Sequence, residues 1–168
     1  MIQDVPRRHR IGIGLYDLNG DGRLERRSLV HAELDAERTV VPGLTAADAV
    51  VLNDQDLSYT RARFDARSRR VLTAAACQVG DPLSEAVCWN EFWLLVTSGE
   101  VPAAQFADMA CRRLQAGGLP GGLPEAGVET LLSRAVEASD AWAPPRHAGW
   151  RAGRTSTRCR GSTRSPAR

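Results

Sequence analysis

The residues most suggestive of chemistry lie in the stretch DLNGDGRLE, where acidic and amide side chains alternate along a glycine-rich segment. Asp17, Asn19 and Asp21 have the spacing of the first calcium ligands of an EF-hand, and Gly22 stands where that loop has its invariant glycine. The twelfth loop position, which needs a bidentate glutamate, is Ser28, and the flanking segments have strand patterns. Asparagine and glycine between strands are typical of a tight turn. We therefore predict a β-turn and no metal site.

A second acidic segment, NDQDLSY, places Asp54 and Asp56 two residues apart. No third ligand accompanies them, and such residues between strands commonly close turns on their own backbone, so a turn is again predicted. The chain contains no zinc-protease, nucleophile-elbow, phosphate-loop or dinucleotide-binding motif. The histidines are isolated in the sequence; they are His9, His31 and His147. The sequence thus predicts no catalytic, cofactor-binding or metal-binding residue.

The cysteines show neither a CxxC pair nor the clustering of a zinc site. They are Cys77, Cys88, Cys111 and Cys159, and we predict that the first three are reduced and buried on helices. Trp89 and Trp93 lie four residues apart on a predicted helix, close to Phe92, and a platform for nucleic acid bases is conceivable. No basic residues interleave with these rings, which favours packing between helices.

The composition is that of a globular protein, with 168 residues, 43% hydrophobic and 25% charged. No apolar run approaches the roughly 20 residues that span a bilayer. The basic start, MIQDVPRRHR, is not followed by an apolar signal segment. We therefore predict a cytoplasmic protein with no membrane partner. The net charge of +2 is too small to indicate a specific nucleic acid partner.

Residues 8–65 have the two-residue period of β-strands. Ile11, Ile13 and Leu15 alternate with Gly12, Gly14 and Tyr16, and Leu24, Val30, Ala32 and Leu34 share one parity on the return. This pattern predicts a hairpin with one buried face. The later segments RTVVP, AVVL at 49–52 and YTRARF at 59–64 bring the expected number of strands in the antiparallel sheet to roughly five.

From about residue 65 the period becomes that of helices. Asp65 is the predicted N-cap of a first helix reaching Val79, and Asp81 is that of a second, PLSEAVCWNEFWLLVTSG, which begins with a proline. A third helix is predicted from Pro102. A fourth follows the loop GGLPGGLP, with apolar positions at Val128, Leu131, Leu132, Ala135, Val136 and Trp142. Short connections between amphipathic helices predict antiparallel helix hairpins of an α-solenoid-like domain.

Residues 144–168 are rich in Gly, Ser, Thr and Arg and have no apolar period, so we predict a disordered basic tail. We also hypothesise that this tail is read out of frame, which translating the other two reading frames would test. The predicted fold is α+β, with an N-terminal antiparallel β-sheet at 8–65, a helical domain at 66–143 and the tail at 144–168.

Taken in order, three segments resemble the C-terminal half of bacterial aminopeptidase N, of the gluzincin family of zinc aminopeptidases. They are GLYDLNGDGRLERR, AVVLNDQDLSYTRARFD, and DPLSEAVCWNEFW followed by SGEVPAAQF. The resemblance covers about residues 10–143. It implies that the strands belong to a small β-sandwich domain, here partial. It also implies that the helices open an all-helical C-terminal domain related to that of the endoplasmic-reticulum aminopeptidases.

Members of that family release single residues from peptide N-termini, using a zinc ion held by HExxH and a downstream glutamate in an N-terminal catalytic region. Neither that motif nor the GxMEN-type motif that grips the substrate amine occurs in this sequence. No catalytic role is carried over from the family. The resemblance implies a chain that is inactive alone, with the zinc held elsewhere in the intact enzyme.

Three functions remain open at this point. The first is a non-catalytic fragment that helps to enclose the active-site chamber, whose partner is the catalytic domain in the same polypeptide and which meets peptides only in the intact enzyme. The second is a subunit that completes an aminopeptidase in trans. The third is a small calcium-binding or nucleic-acid-binding adaptor, in which the arginine-rich tail contacts phosphates without sequence specificity.

Overall fold

The computed structural model describes residues 8–116 and 124–141. A three-stranded antiparallel sheet is followed by four helices, which confirms the predicted α+β class. The strands are β1 (His9–Leu18), β2 (Leu24–Leu34) and β3 (Ala49–Asp54). The helices are α1 (Ala66–Ala74), α2 (Pro82–Thr97), α3 (Ala103–Gln115) and α4 (Glu125–Ala141). The predicted tail at 144–168 lies outside the described residues, as does Trp142.

The central strand is β1, which pairs antiparallel with β2 on one side and with β3 on the other. The hairpin predicted at DLNGDG is confirmed. Its turn is closed by Asn19, whose Oδ1 accepts hydrogen bonds from the backbone N–H groups of Asp21 and Arg23, both at 3.0 Å. Gly22 has a φ of 76°, a left-handed conformation that glycine adopts without steric cost.

The prediction of a single buried face is wrong for β1, because every residue from Ile11 to Tyr16 is buried. On one face, Ile11, Ile13 and Leu15 cluster with Ala32 of β2. On the other face, Tyr16 belongs to a larger cluster that includes residues of all four helices. Because layers cover both faces of this central strand, the alternation of residue types along its sequence does not distinguish a buried face from an exposed one.

Two β-bulges decide which side chains of the outer strands face the helices. In β2, Ser28 pairs with Leu15 but Arg26 pairs with Tyr16, so Arg27 is the extra residue. In β3 the register shifts between the pairs Ile13–Leu52 and Gly12–Asp54, so Asn53 is the extra residue. Each bulge moves the residues beyond it to the opposite face, which places Arg26 and Asp54 on the face that carries Tyr16.

The prediction of roughly five strands is wrong, since neither RTVVP nor YTRARF forms a strand. The outer edge of β3 is occupied by α1, where Ser68 Oγ accepts the Val50 N–H at 2.8 Å. Residues 59–64 therefore cannot pair there. Instead, Ala62 N–H donates to Glu91 Oε1 at 3.3 Å, and Phe64 stacks on Phe92 with ring centroids 5.4 Å apart.

The helix starts are set locally, as predicted. Asp65 accepts hydrogen bonds from the backbone of Arg67 and Ser68, and Asp81 accepts one from the Ser84 N–H. The third helix starts at Ala103, one residue after Pro102. The predicted extension of α1 to Val79 is wrong, because the helix ends at Ala74. Its last carbonyls are taken by Arg112 of α3, at 2.9 Å from Thr73 O and 2.8 Å from Ala74 O.

The larger of the two hydrophobic clusters contains residues of both the sheet and the helices. Among its buried members are Tyr16, Leu24, Val51, Leu72, Val79, Phe92, Phe106 and Leu131. On α4, Leu131 and Ala138 are buried, whereas Leu132 and Val136 are 46% and 56% exposed.

The division into two domains at residue 65 stays a prediction. Within the described ranges, no helix combines the length and apolarity needed to cross a membrane.

Candidate functional site: a buried polar junction between the sheet and the second helix

The strongest concentration of buried polar groups surrounds Asp54, at the end of β3. Its side chain is fully buried, and both carboxylate oxygens accept hydrogen bonds. Tyr16 Oη of β1 donates to Oδ2 at 3.0 Å, and Arg26 Nη1 of β2 donates to the same oxygen at 3.2 Å. Ser84 Oγ of α2 donates to Oδ1. One carboxylate thus connects all three strands to a helix.

Two glycines on the central strand make room for Asp54, one for its side chain and one for its backbone carbonyl group. A Cβ at Gly14 would lie 2.1 Å from Asp54 Oδ2 and 2.6 Å from the Tyr16 ring. A Cβ at Gly12 would lie 2.3 Å from the Asp54 carbonyl oxygen. Since side-chain carbons essentially never approach so closely, the alternation of glycine along β1 is a packing requirement of the junction.

The helix side of the junction is built on the N-terminus of α2. Asp81 Oδ2 accepts the Ser84 N–H at 2.9 Å, and Ser84 Oγ lies 2.6 Å from the same oxygen. Because a hydroxyl has one proton, Ser84 donates to either Asp54 or Asp81 at a given moment. Burial opposes the ionisation of Asp81, but the hydrogen bonds from Ser84 and the positive charge of Arg26 together outweigh it and lower the pKa of this carboxyl.

The phenol at the centre of the junction is held in its neutral form. Burial raises the pKa of Tyr16 above its ordinary value, and the neighbouring charge of Asp54 acts in the same direction. Arg26 supplies the positive charge that faces the carboxylate. Of the buried side-chain polar atoms in the described part of the chain, only Thr39 Oγ1 has no hydrogen-bond partner. The junction is therefore internally satisfied.

A second ion pair, which is buried, involves Glu85, the residue that follows Ser84 on α2. Arg113 of α3 donates through Nε to Glu85 Oε1 at 2.6 Å and through Nη2 to Oε2 at 3.2 Å. Trp89 Nε1 also donates to Glu85 Oε1, at 3.2 Å. The side chains of the two charged residues are 6% and 1% exposed. Removing either partner would leave an uncompensated buried charge.

The calcium-like residues of the first loop are engaged in local structure. Asp17 pairs with Arg27 at 2.8 Å, Asn19 closes the turn, and Ser28 lies within β2 opposite Leu15. Within residues 8–116 and 124–141, no group of three or more His, Cys, Asp and Glu side chains could hold a metal ion. The absence of a metal site remains a prediction.

Asn53 and Asp54 of the second acidic segment, NDQDLSY, have different roles, and the sequence predicted only the turn at Asn53. Asn53 closes the turn, since its amide exchanges hydrogen bonds with the backbone of Ser58 at 2.8 and 3.1 Å and contacts Asp56 at 3.2 Å. Asp54 is not a turn residue, and that prediction is wrong. The bulge at Asn53 turns its carboxylate into the junction instead of toward solvent.

The remaining candidates lie apart from the junction or in the core. His31 is exposed and His9 half-buried, while His147 and Cys159 lie outside the described residues. Cys88 is buried on α2 as predicted, but Cys77 is buried in the turn after α1 and Cys111 is only half-buried. Burial raises the pKa of both buried thiols, Cys77 and Cys88.

Trp89 and Trp93 pack on Phe106, with ring centroids 5.5 and 5.6 Å away, as expected of helix packing.

Sequence reasoning missed most of the junction. Tyr16, Arg26, Ser84, Glu85 and Arg113 were not predicted as a site, because no motif spacing connects them. A usable signal is the pair of glycines on β1, since glycine in a strand interior often marks a close approach of another group.

Comparison with known proteins gives one informative relative. The chain is 40% identical over 103 residues to aminopeptidase N of Streptomyces lividans. The matched region covers 60% of this chain but only 12% of the relative, so the chain spans a small part of that enzyme's length. No family model matches the chain. The match confirms the resemblance to aminopeptidase N and is consistent with a segment from the C-terminal part of such an enzyme.

Proposed function

We propose that this chain is a non-catalytic, structural segment of a zinc aminopeptidase of the aminopeptidase N type, in which it joins a sheet to the start of a helical region. The similarity over 103 residues supports the relationship to that enzyme. The observation that carries the structural role is the junction, where Asp54 is buried and bound by groups from β1, β2 and α2.

The chemistry of the junction favours a structural role over a catalytic one. A general base or a metal ligand needs a lone pair directed at the substrate or ion, whereas Asp54 is fully buried and both of its oxygens face internal hydrogen-bonding groups. A phenol with a raised pKa is a poor base or nucleophile near neutral pH. In this proposal the zinc and the peptide substrate are bound by another part of the enzyme, which is cytoplasmic.

A chimera with the relative tests the proposal. The segment of Streptomyces lividans aminopeptidase N that matches this chain is replaced by the corresponding 103 residues of this chain, and hydrolysis of an aminoacyl anilide is measured. We expect an active chimera, whereas the purified chain alone, supplied with zinc, releases no product. Asp54→Ala in the chimera should lower its thermal midpoint and leave kcat/KM at low temperature within about twofold, because the residue stabilises without touching substrate.

Three outcomes would contradict the proposal. They are product release by the isolated chain, an inactive but folded chimera, and loss of kcat/KM from Asp54→Ala at a temperature where the chimera is fully folded. Activity restored by mixing the chain with a relative that lacks the matched segment would instead favour completion of the enzyme in trans. A calcium titration of the chain that gives heat would favour the adaptor, which the pairing of Asp17 with Arg27 disfavours.

A further inference from the structure

A groove of about 340 Å³ lies between α2 and α4. Its walls are low where both helices carry small residues, Ala86 on α2 and Ala126 and Gly127 on α4. Trp89 and Leu131, both buried in the core, supply apolar lining. A groove of this volume and lining is of the size that binds small molecules in proteins.

A half-buried cation lines the same groove. The guanidinium of Arg134 on α4 lies 5.5 Å from the centroid of the Trp93 ring and donates to Asn90 Oδ1 at 3.3 Å. Among the described side chains, no carboxylate lies within 4 Å of it, unlike the buried Arg113, which pairs with Glu85. Burial lowers the pKa of Arg134, and the charge of Glu137 only partly opposes this effect.

We propose that this groove binds a small carboxylate with an aromatic body, the carboxylate pairing with Arg134 and the ring lying against Trp89 and Leu131. A guanidinium presents a planar set of donors that matches a carboxylate, and an apolar body displaces water from the apolar lining. This inference does not depend on the proposed function.

Charge complementarity favours such a ligand over a segment of the chain itself. The sequence from 146 to 168 contains seven arginines and no acidic residue, so it repels Arg134. The loop sequence GGLPGGL at 117–123 has no charge to pair with this cation, although Leu119 and Leu123 could occupy apolar space. The experiment therefore includes a variant in which both leucines are replaced by serine.

The test is a titration of the full chain with phenylacetate, followed by the NMR signal of the Trp89 indole N–H. We expect a saturable shift with phenylacetate and at least about tenfold weaker binding of the neutral phenylacetamide, because a charge-assisted hydrogen bond is lost. Arg134→Gln should weaken phenylacetate binding by a similar factor, and Arg23→Gln, which removes an arginine from the β1–β2 turn, should not. Ala86→Leu should fill the groove and abolish binding.

Several results would overturn the inference. They are the absence of a saturable shift in the wild-type chain, equal binding of phenylacetate and phenylacetamide, and unchanged binding in Arg134→Gln. Binding that appears only after Leu119 and Leu123 are replaced by serine would also overturn it, since the groove would then be occupied by the chain's own loop. Circular dichroism of each variant separates a lost site from a lost fold.

Discussion

Asp54 shows how a single buried charge can hold several elements together. It is fully buried, and three donors approach its two oxygens. The nearest full positive charge is Arg26, whose side chain is 27% exposed. A buried carboxylate is stable only where its lost hydration is replaced by such donors. The stabilisation of the fold by the Asp54 carboxylate therefore requires all of these donors.

Substituting Asp54→Asn tests this dependence. The amide keeps the size of the side chain but presents an NH₂ group to donors that need an acceptor, and it leaves Arg26 without a counter-charge. We expect the free energy of unfolding to fall by about 2–4 kcal/mol, measured by urea denaturation. Asp21→Asn, in the exposed turn, is the matched control and should change it by less than about 0.5 kcal/mol. Equal effects of the two substitutions would refute the role of the junction.

At the scale of elements, the caps and the bulges have different origins. A cap such as Asp81 acts on residues within one turn of itself, so it is visible in the sequence. A bulge such as that at Asn53 follows from which residues pair across the sheet. In this protein the cap of α2 also supports the junction, because the hydroxyl of Ser84 contacts both Asp81 and Asp54.

The cap of α2 makes a pH-dependent contribution to stability. The pKa of Asp81 is lowered in the folded state, so the folded chain binds fewer protons at this group than the unfolded chain does. Its contribution is complete above the ordinary aspartate pKa of 3.8 and is lost as the pH falls through the lower folded value. Asp81→Asn should therefore be less stable than wild type at pH 7, with the difference shrinking below about pH 4.

Asp81→Ala separates the charge from the hydrogen bond. It removes both the charge and the acceptor of the Ser84 N–H, so it should cost about 1–2 kcal/mol at pH 7 and be less stable than Asp81→Asn at every pH. Its gap from wild type should also narrow below about pH 4, because the wild-type carboxyl is then protonated. Denaturant unfolding monitored at several pH values gives both comparisons. A gap between wild type and Asp81→Asn that widens on acidification would contradict the lowered pKa.

At the scale of the whole molecule, the sheet and the helices depend on one core. Tyr16, Leu24 and Val51 of the strands belong to the same cluster as Leu72 and Phe92 of the helices. The polar junction and this cluster lie on the same face of the sheet. Separating the strands from the helices would expose apolar surface to water. Any polar group of the junction that stayed buried would also have lost its hydrogen-bond partners, at a cost in free energy.

A truncation at the predicted domain boundary tests this dependence. Residues 66–143 expressed alone should lose the cooperative thermal transition of the full chain, because the strands that cover Leu72 and Phe92 are missing. Deleting residues 144–168 is the control and should leave the midpoint unchanged. Circular dichroism follows both. A cooperative transition of the helical piece at the midpoint of the full chain would instead establish two independent domains.

The sequence by itself determined the features that depend on near neighbours. The hairpin turn, the caps Asp65 and Asp81, the starts of the helices and the α+β class all follow from residues within one or two turns of each other. It also carried the relationship to aminopeptidase N, through three segments in a fixed order.

Only the tertiary structure decided the number of strands, the faces of β1 and the junction. The edge of β3 is covered by α1, and two bulges reverse the faces of Arg26 and Asp54. The partners of Asp54 lie 28 to 38 residues from it along the chain. Periodicity reports which residues are apolar, but it cannot report which distant polar groups meet in the core, because that depends on register and on the packing of whole elements.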